Sequence, residues 1–141
     1  MRVFLDTNVL AAAFTTRGLC ADVVRSVLAE HQLITGDVIL GELHDVLVKR
    51  FKLPASTTKD ILDLLRSQEA VAKPKKIPST PIRDPDDALV LASAIEGRSD
   101  VLVTGDRDLL DIADAAPLPI LSPRGFWEFL RQPSQSIPKN E

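Results

Sequence analysis

Four acidic residues, Asp6, Glu42, Asp87 and Asp106, stand at positions where a carboxylate meets apolar surroundings. Asp6 closes the apolar run Val3-Phe4-Leu5, and Asp106 follows Val101-Leu102-Val103-Thr104-Gly105. Each has a plain alternative reading: Asp6 as the start of a turn, Asp106 as the cap of a following helix, a place Asp fills well. Glu42 is more informative. At about 100° per residue, Ile39, Leu43, Val46 and Leu47 form the apolar stripe of a helix over 37–51, while Gly41 and His44 face away. Glu42 falls at the margin of that stripe, between Val38 and Val46. A charge there costs free energy unless it is paired or metal-bound, and Lys49, on the same edge, is the candidate pair. Asp87 is the sharpest case, because Leu91, Ala94 and Ile95 share its face of a helix over 86–96. Asp84, Pro85 and Asp86 make an ordinary helix start, with an Asp cap, Pro at the first position and acid in the first turn. That start does not require an acid aimed at the core.

If the four converge, their charge becomes the central problem. Two carboxylates ~4 Å apart repel by roughly 4 kcal/mol at an effective dielectric of about 20. No Lys or Arg sits beside Asp6 or Asp87 along these faces. Cys20 is the single cysteine, and His31 and His44 the two histidines, which excludes a Cys₄ or Cys₂His₂ zinc site. Hard cations held by oxygen, Mg²⁺ or Mn²⁺, are the natural remedy. Two such ions turn a net charge of −3 into about +1, a balance that can approach a phosphodiester. The matching chemistry is in-line displacement at phosphorus, one ion activating water and the other steadying the leaving oxygen. Asn8 and Thr104 stand close enough in sequence to orient ligands or water around the acids.

The elements that must position these residues alternate. Short apolar runs at 2–5, 32–35, 70–72, 101–104 and 120–121 read as strands. Helical patterns cover 7–14, 21–30, 37–51, 54–67, 86–96, 107–113 and 125–130, with Thr7 or Asn8 as a cap and Gly97 just past a helix end. Strands separated by helices imply an α/β fold: one domain over 1–131, with about five mostly parallel strands, doubly wound, helices on both faces, and a loose polar tail over 132–141. Residues 73–85 read as a Pro-rich loop within that domain. Open parallel sheets bind ligands beyond the carboxyl ends of their strands, where Asp6 and Asp106 fall.

Composition narrows the class. At 141 residues, 45% hydrophobic and 26% charged, the chain is an ordinary globular domain. Aromatics are only 4%, which disfavours a broad base-stacking platform. No segment has the roughly 18–20 apolar residues of a membrane span, and Asp6 and Asn8 interrupt the apolar start, so no signal peptide is expected. A lone Cys fits a reducing, cytoplasmic setting. Basic clusters at Lys49-Arg50-Phe51-Lys52 and Lys73-Pro74-Lys75-Lys76 make Lys49, Arg50, Lys75 and Lys76 candidate phosphate contacts.

At the level of motifs, Leu5-Asp6-Thr7-Asn8-Val9-Leu10, Glu42, the block Asp84 to Ala94 and Val103-Thr104-Gly105-Asp106-Arg107-Asp108-Leu109-Leu110 resemble, in order and separation, the blocks of the PIN-domain family. The group matched best is that of small bacterial and archaeal toxin components of toxin–antitoxin pairs. The resemblance implies an Mg²⁺- or Mn²⁺-dependent ribonuclease, with RNA as substrate, a homodimer, and a small antitoxin protein that covers the site. Carried over residue by residue, the site is Asp6, Glu42, Asp87 and Asp106, with Asn8, Asp84, Thr104 and Asp108 as helpers. Three other readings compete. An aspartyl-phosphate phosphatase would use Asp6 as nucleophile, but such enzymes carry a second Asp where this chain has Asn8. A non-catalytic RNA- or antitoxin-binding module would leave the acids as caps. A PIN nuclease could instead act on an rRNA precursor or structured DNA.

Overall fold

A computed structural model describes residues 1–78 and 80–132; most of the expected C-terminal tail therefore lies outside the described residues. The elements are β1 (Arg2–Leu5), α1 (Thr7–Thr15), α2 (Leu19–Glu30), β2 (Gln32–Gly36), α3 (Asp37–Asp45), α4 (Ala55–Arg66), β3 (Glu69–Val71), α5 (Pro85–Glu96), β4 (Val101–Val103), α6 (Arg107–Asp111), β5 (Ile120–Leu121) and α7 (Pro123–Leu130). The five strands form one sheet in the order β3-β2-β1-β4-β5, and every pairing is parallel. The expectation of a mostly parallel α/β sheet is thus met in full. The chain winds outward from β1 through β2 to β3, then returns to place β4 beside β1. Connections leave β1 and β4 in opposite directions, so a crevice opens where the winding reverses.

The central strands are buried on both faces, as a parallel sheet requires. Val3, Phe4, Leu5, Leu33, Ile34, Val101, Leu102 and Val103 are all fully buried. Helices complete the core with Leu10, Val23, Val27, Ile39, Leu43, Leu47, Leu65, Leu91 and Phe126. Aliphatic residues dominate it, as the low aromatic content demands.

Four local expectations are revised. The helix over 37–51 is α-helical only to Asp45; Val46–Arg50 winds as a π turn, closed by the Phe51 N–H donating to the Val46 carbonyl at 3.1 Å. Asp6, not Thr7 or Asn8, caps α1. Gly97 ends α5 at φ −73°, and it is Arg98 that adopts the left-handed φ of 53°. Glycine is needed at 97 for space instead: a Cβ there would stand 2.6 Å from Ile34 Cγ2, so α5 can approach β2 only without a side chain at this point. Ile95, expected on the inward face of α5, is 38% exposed.

Candidate active site

Parallel pairing brings the carboxyl ends of β1 and β4 side by side, and the backbone carries the ladder one step further. The Asp6 N–H donates to the Val103 carbonyl at 3.0 Å, so the first acid is fixed to the sheet before its side chain does anything. Its Oδ1 accepts from the Thr7 N–H at 2.7 Å. Its Oδ2 accepts from the Thr104 hydroxyl at 2.7 Å and from the Asn8 amide at 3.2 Å. The same Thr104 oxygen accepts from the Asp106 N–H at 2.9 Å. Asn8 closes the bracket, its Oδ1 accepting from the Gly105 N–H at 2.8 Å. Thr104 is fully buried and Asp6 is 4% exposed, which makes this a rigid floor.

The other acids come from helices. Glu42, on α3, takes a hydrogen bond from the Thr7 hydroxyl at 3.1 Å. The alternative pairing with Lys49 does not form; the Lys49 ammonium lies 3.9 Å from Asp45. Asp87, in the first turn of α5, is 9% exposed, whereas Asp84 and Asp86 are exposed and Asp84 Oδ1 caps the helix through the Asp86 N–H at 2.8 Å. Asp106 caps α6 through the Asp108 N–H at 3.0 Å while also lining the crevice, so its cap reading and its site reading coexist. Asp6, Glu42, Asp87 and Asp106 all line one cleft of about 440 Å³. Asp87, Asp106 and Asp108 each offer a carboxylate oxygen within 4.8 Å of the others.

Crowding shows in the proton affinities. Burial raises the Asp6 carboxyl above its ordinary range, against the hydrogen bonds from Thr104 and Thr7. Burial likewise raises Glu42, opposed by Thr7 and helped by the charge of Asp6. Asp87 is pushed up to about 7, first by burial, then by a hydrogen bond shared with Asp106 and by its charge. None of the ion pairs among the described residues involves any of the four. Arg50 lines the cleft but forms no ion pair with them. The described lining holds no His and no Cys. Clustered oxygen donors with no ion-pair partner among the described residues fit a hard divalent ion, Mg²⁺ or Mn²⁺.

Of the remaining expected residues, Lys75 and Lys76 are exposed on the loop between β3 and α5, outside the cleft lining, as is Lys49. Thr7 and Phe51 also line the cleft, although the residue order marks neither as part of a site. Thr7 is legible only as a cap, because nothing local links its hydroxyl to a glutamate far along the chain. Phe51 stands in the sequence only as part of a basic run.

Known proteins agree with this architecture. A family model described as PIN domain matches residues 2–108. No curated protein sequence matches the chain. Among solved structures, VapBC2 from Rickettsia felis, bound to a DNA fragment from their promoter, is similar at a TM-score of 0.63 and 18% identity, covering 86% of this chain and 98% of that one. A PilT N-terminus domain protein from Sulfolobus solfataricus P2 is similar at a TM-score of 0.57 and 10% identity over 100% of both chains. FitAcB from Neisseria gonorrhoeae is similar at a TM-score of 0.54 and 15% identity, covering 86% and 98%. At these identities the likeness is one of fold.

Proposed function

The chain belongs to the PIN-domain family, and from that premise we propose that it is a divalent-metal-dependent endoribonuclease, the toxin of a toxin–antitoxin pair acting in the cytoplasm. One observation carries the reading: four acids from separate parts of the chain line a single cleft at the point where the sheet reverses its winding, with no ion pair among the described residues to balance them. Asp6, Glu42, Asp87 and Asp106 would hold Mg²⁺ or Mn²⁺, with Asp108 close to Asp87 and Asp106. When bound, the metal supplies water activation and charge neutralisation at phosphorus. The chain's own work is positioning. Thr104 and Asn8 hold the Asp6 carboxylate in one orientation, and Thr7 does the same for Glu42. Such support is what keeps ligand geometry tight enough for catalysis. The antitoxin partner is supported by the sequence resemblance and by the shared fold with VapBC2 and FitAcB.

The test is a panel of labelled RNAs and DNAs incubated with the purified protein in Mg²⁺, in Mn²⁺ and in chelator, with Asp6→Asn beside it. Cleavage of RNA that requires metal and vanishes in Asp6→Asn is the expected result. Activity surviving chelator and the substitution, or cleavage restricted to DNA, would overturn the assignment. A module that only binds would show no cleavage under any condition.

A further inference from the structure

The cleft has a floor of acids and a mouth of another kind. Glu42, Val46 and Arg50 all line it, at intervals of four residues. Four residues of α-helix turn through ~400°, so each such step drifts by about 40° around the axis. The Val46–Arg50 segment is wound as a π turn, with i→i+5 bonding that turns less per residue and offsets this drift. Arg50 therefore stays over the cleft, and Phe51 arrives beside it as the last lining residue of the run. Lys52 then turns away through a left-handed φ of 53°. Two features of this mouth are unusual. Phe51 is one of the few large apolar residues left exposed, at 38%. Arg50 makes no ion pair among the described residues; its guanidinium lies 5.7 Å from the Phe51 ring centroid.

We infer that Arg50 and Phe51 form a single-nucleotide clamp at the mouth of the cleft, Phe51 stacking on one unpaired base and Arg50 contacting its phosphate. This rests on the ribonuclease reading above and names the residues that grip its substrate. A duplex cannot offer a base face to a ring without unstacking, whereas a loop or single strand does so freely. Every base has a π face, so one aromatic suffices for grip without sequence preference. The low aromatic content excludes a broad platform but not a single seat. Arg50 also supplies positive charge where the acids would otherwise repel an incoming phosphate.

The test uses steady-state cleavage of a single-stranded RNA, the same RNA annealed to its complement, and the strand with one abasic ribose placed at successive positions around the cleavage point. Wild type should cleave the single strand at least tenfold more efficiently than the duplex. Phe51→Leu keeps an apolar side chain but removes the ring. It should raise KM about 5- to 100-fold with little change in kcat, while Phe51→Trp should restore KM. One abasic position should raise the wild-type KM by a similar factor and add nothing in Phe51→Leu. Arg50→Gln should raise KM and flatten its salt dependence. Equal cleavage of duplex and single strand, or a Phe51→Leu enzyme with unchanged KM, would overturn the clamp while leaving the nuclease reading intact. Absence of all wild-type cleavage would instead sink that reading, and the clamp with it. Should Phe51→Leu alter sedimentation and leave KM unmoved, Phe51 belongs to a protein interface and the clamp is refuted.

Discussion

Asp87 holds its proton to about pH 7 because burial and Asp106 both oppose its charge. The sign of its effect on stability follows from linkage. Between its ordinary pKa of 3.8 and about 7 the folded chain binds a proton that the unfolded chain has released, so this group's contribution becomes steadily less favourable as pH rises through that window. Asp6 and Glu42 push in the same direction. Metal-free protein should accordingly melt at a lower temperature at pH 8 than at pH 6, and Asp87→Asn should flatten that difference and raise the melting temperature at pH 8. Divalent binding needs the carboxylates ionised, so Mn²⁺ should raise the melting temperature more at pH 8 than at pH 6. A wild-type melting temperature indifferent to both pH and Mn²⁺ would mean that the four acids neither repel one another nor hold metal.

Where α5 meets β2, packing decides. Gly97→Ala would place a methyl 2.6 Å from Ile34 Cγ2 and 3.3 Å from the Ser93 carbonyl. Ile34 is fully buried and cannot swing away, so overpacking should cost about 1–3 kcal/mol in urea unfolding. Because α5 carries Asp87 in its first turn, the same variant should also weaken metal binding. This close approach shows the limit of what residue order reveals. Strands and helices are legible because apolar runs and helical periods are local, and the inward aim of Asp87 is legible from Leu91 and Ala94 along its own helix. The closeness of Gly97 to Ile34 is not, since it depends on how two distant elements pack. The π turn at Val46–Arg50 escapes for a related reason: its side-chain pattern resembles that of an α-helix, and only the backbone bonding differs. Thr7 stays hidden because its partner, Glu42, belongs to another helix.

Across the whole molecule charge is unevenly placed: four acids line one cleft, in which Arg50 is the one basic residue of the described lining. Lys75 and Lys76 lie on the exposed loop before α5, outside the cleft lining. If that loop meets a substrate backbone, replacing both lysines with Gln should weaken RNA binding and reduce the slope of log K against log salt by up to about 0.7 for each phosphate no longer neutralised. Catalysis on bound RNA should persist. An unchanged slope would remove the loop from the interface. The hydrogen bond from the Asp6 N–H to the Val103 carbonyl carries a different consequence. It stitches the first acid into the deepest ladder of the domain, between strands with no exposed residue. Amide protons there exchange with deuterium only when the entire domain opens, whereas those on the exposed rim exchange through local fraying. The first acid is therefore lost only with the native sheet itself, and any partly melted form that keeps the β1–β4 ladder keeps Asp6 in place.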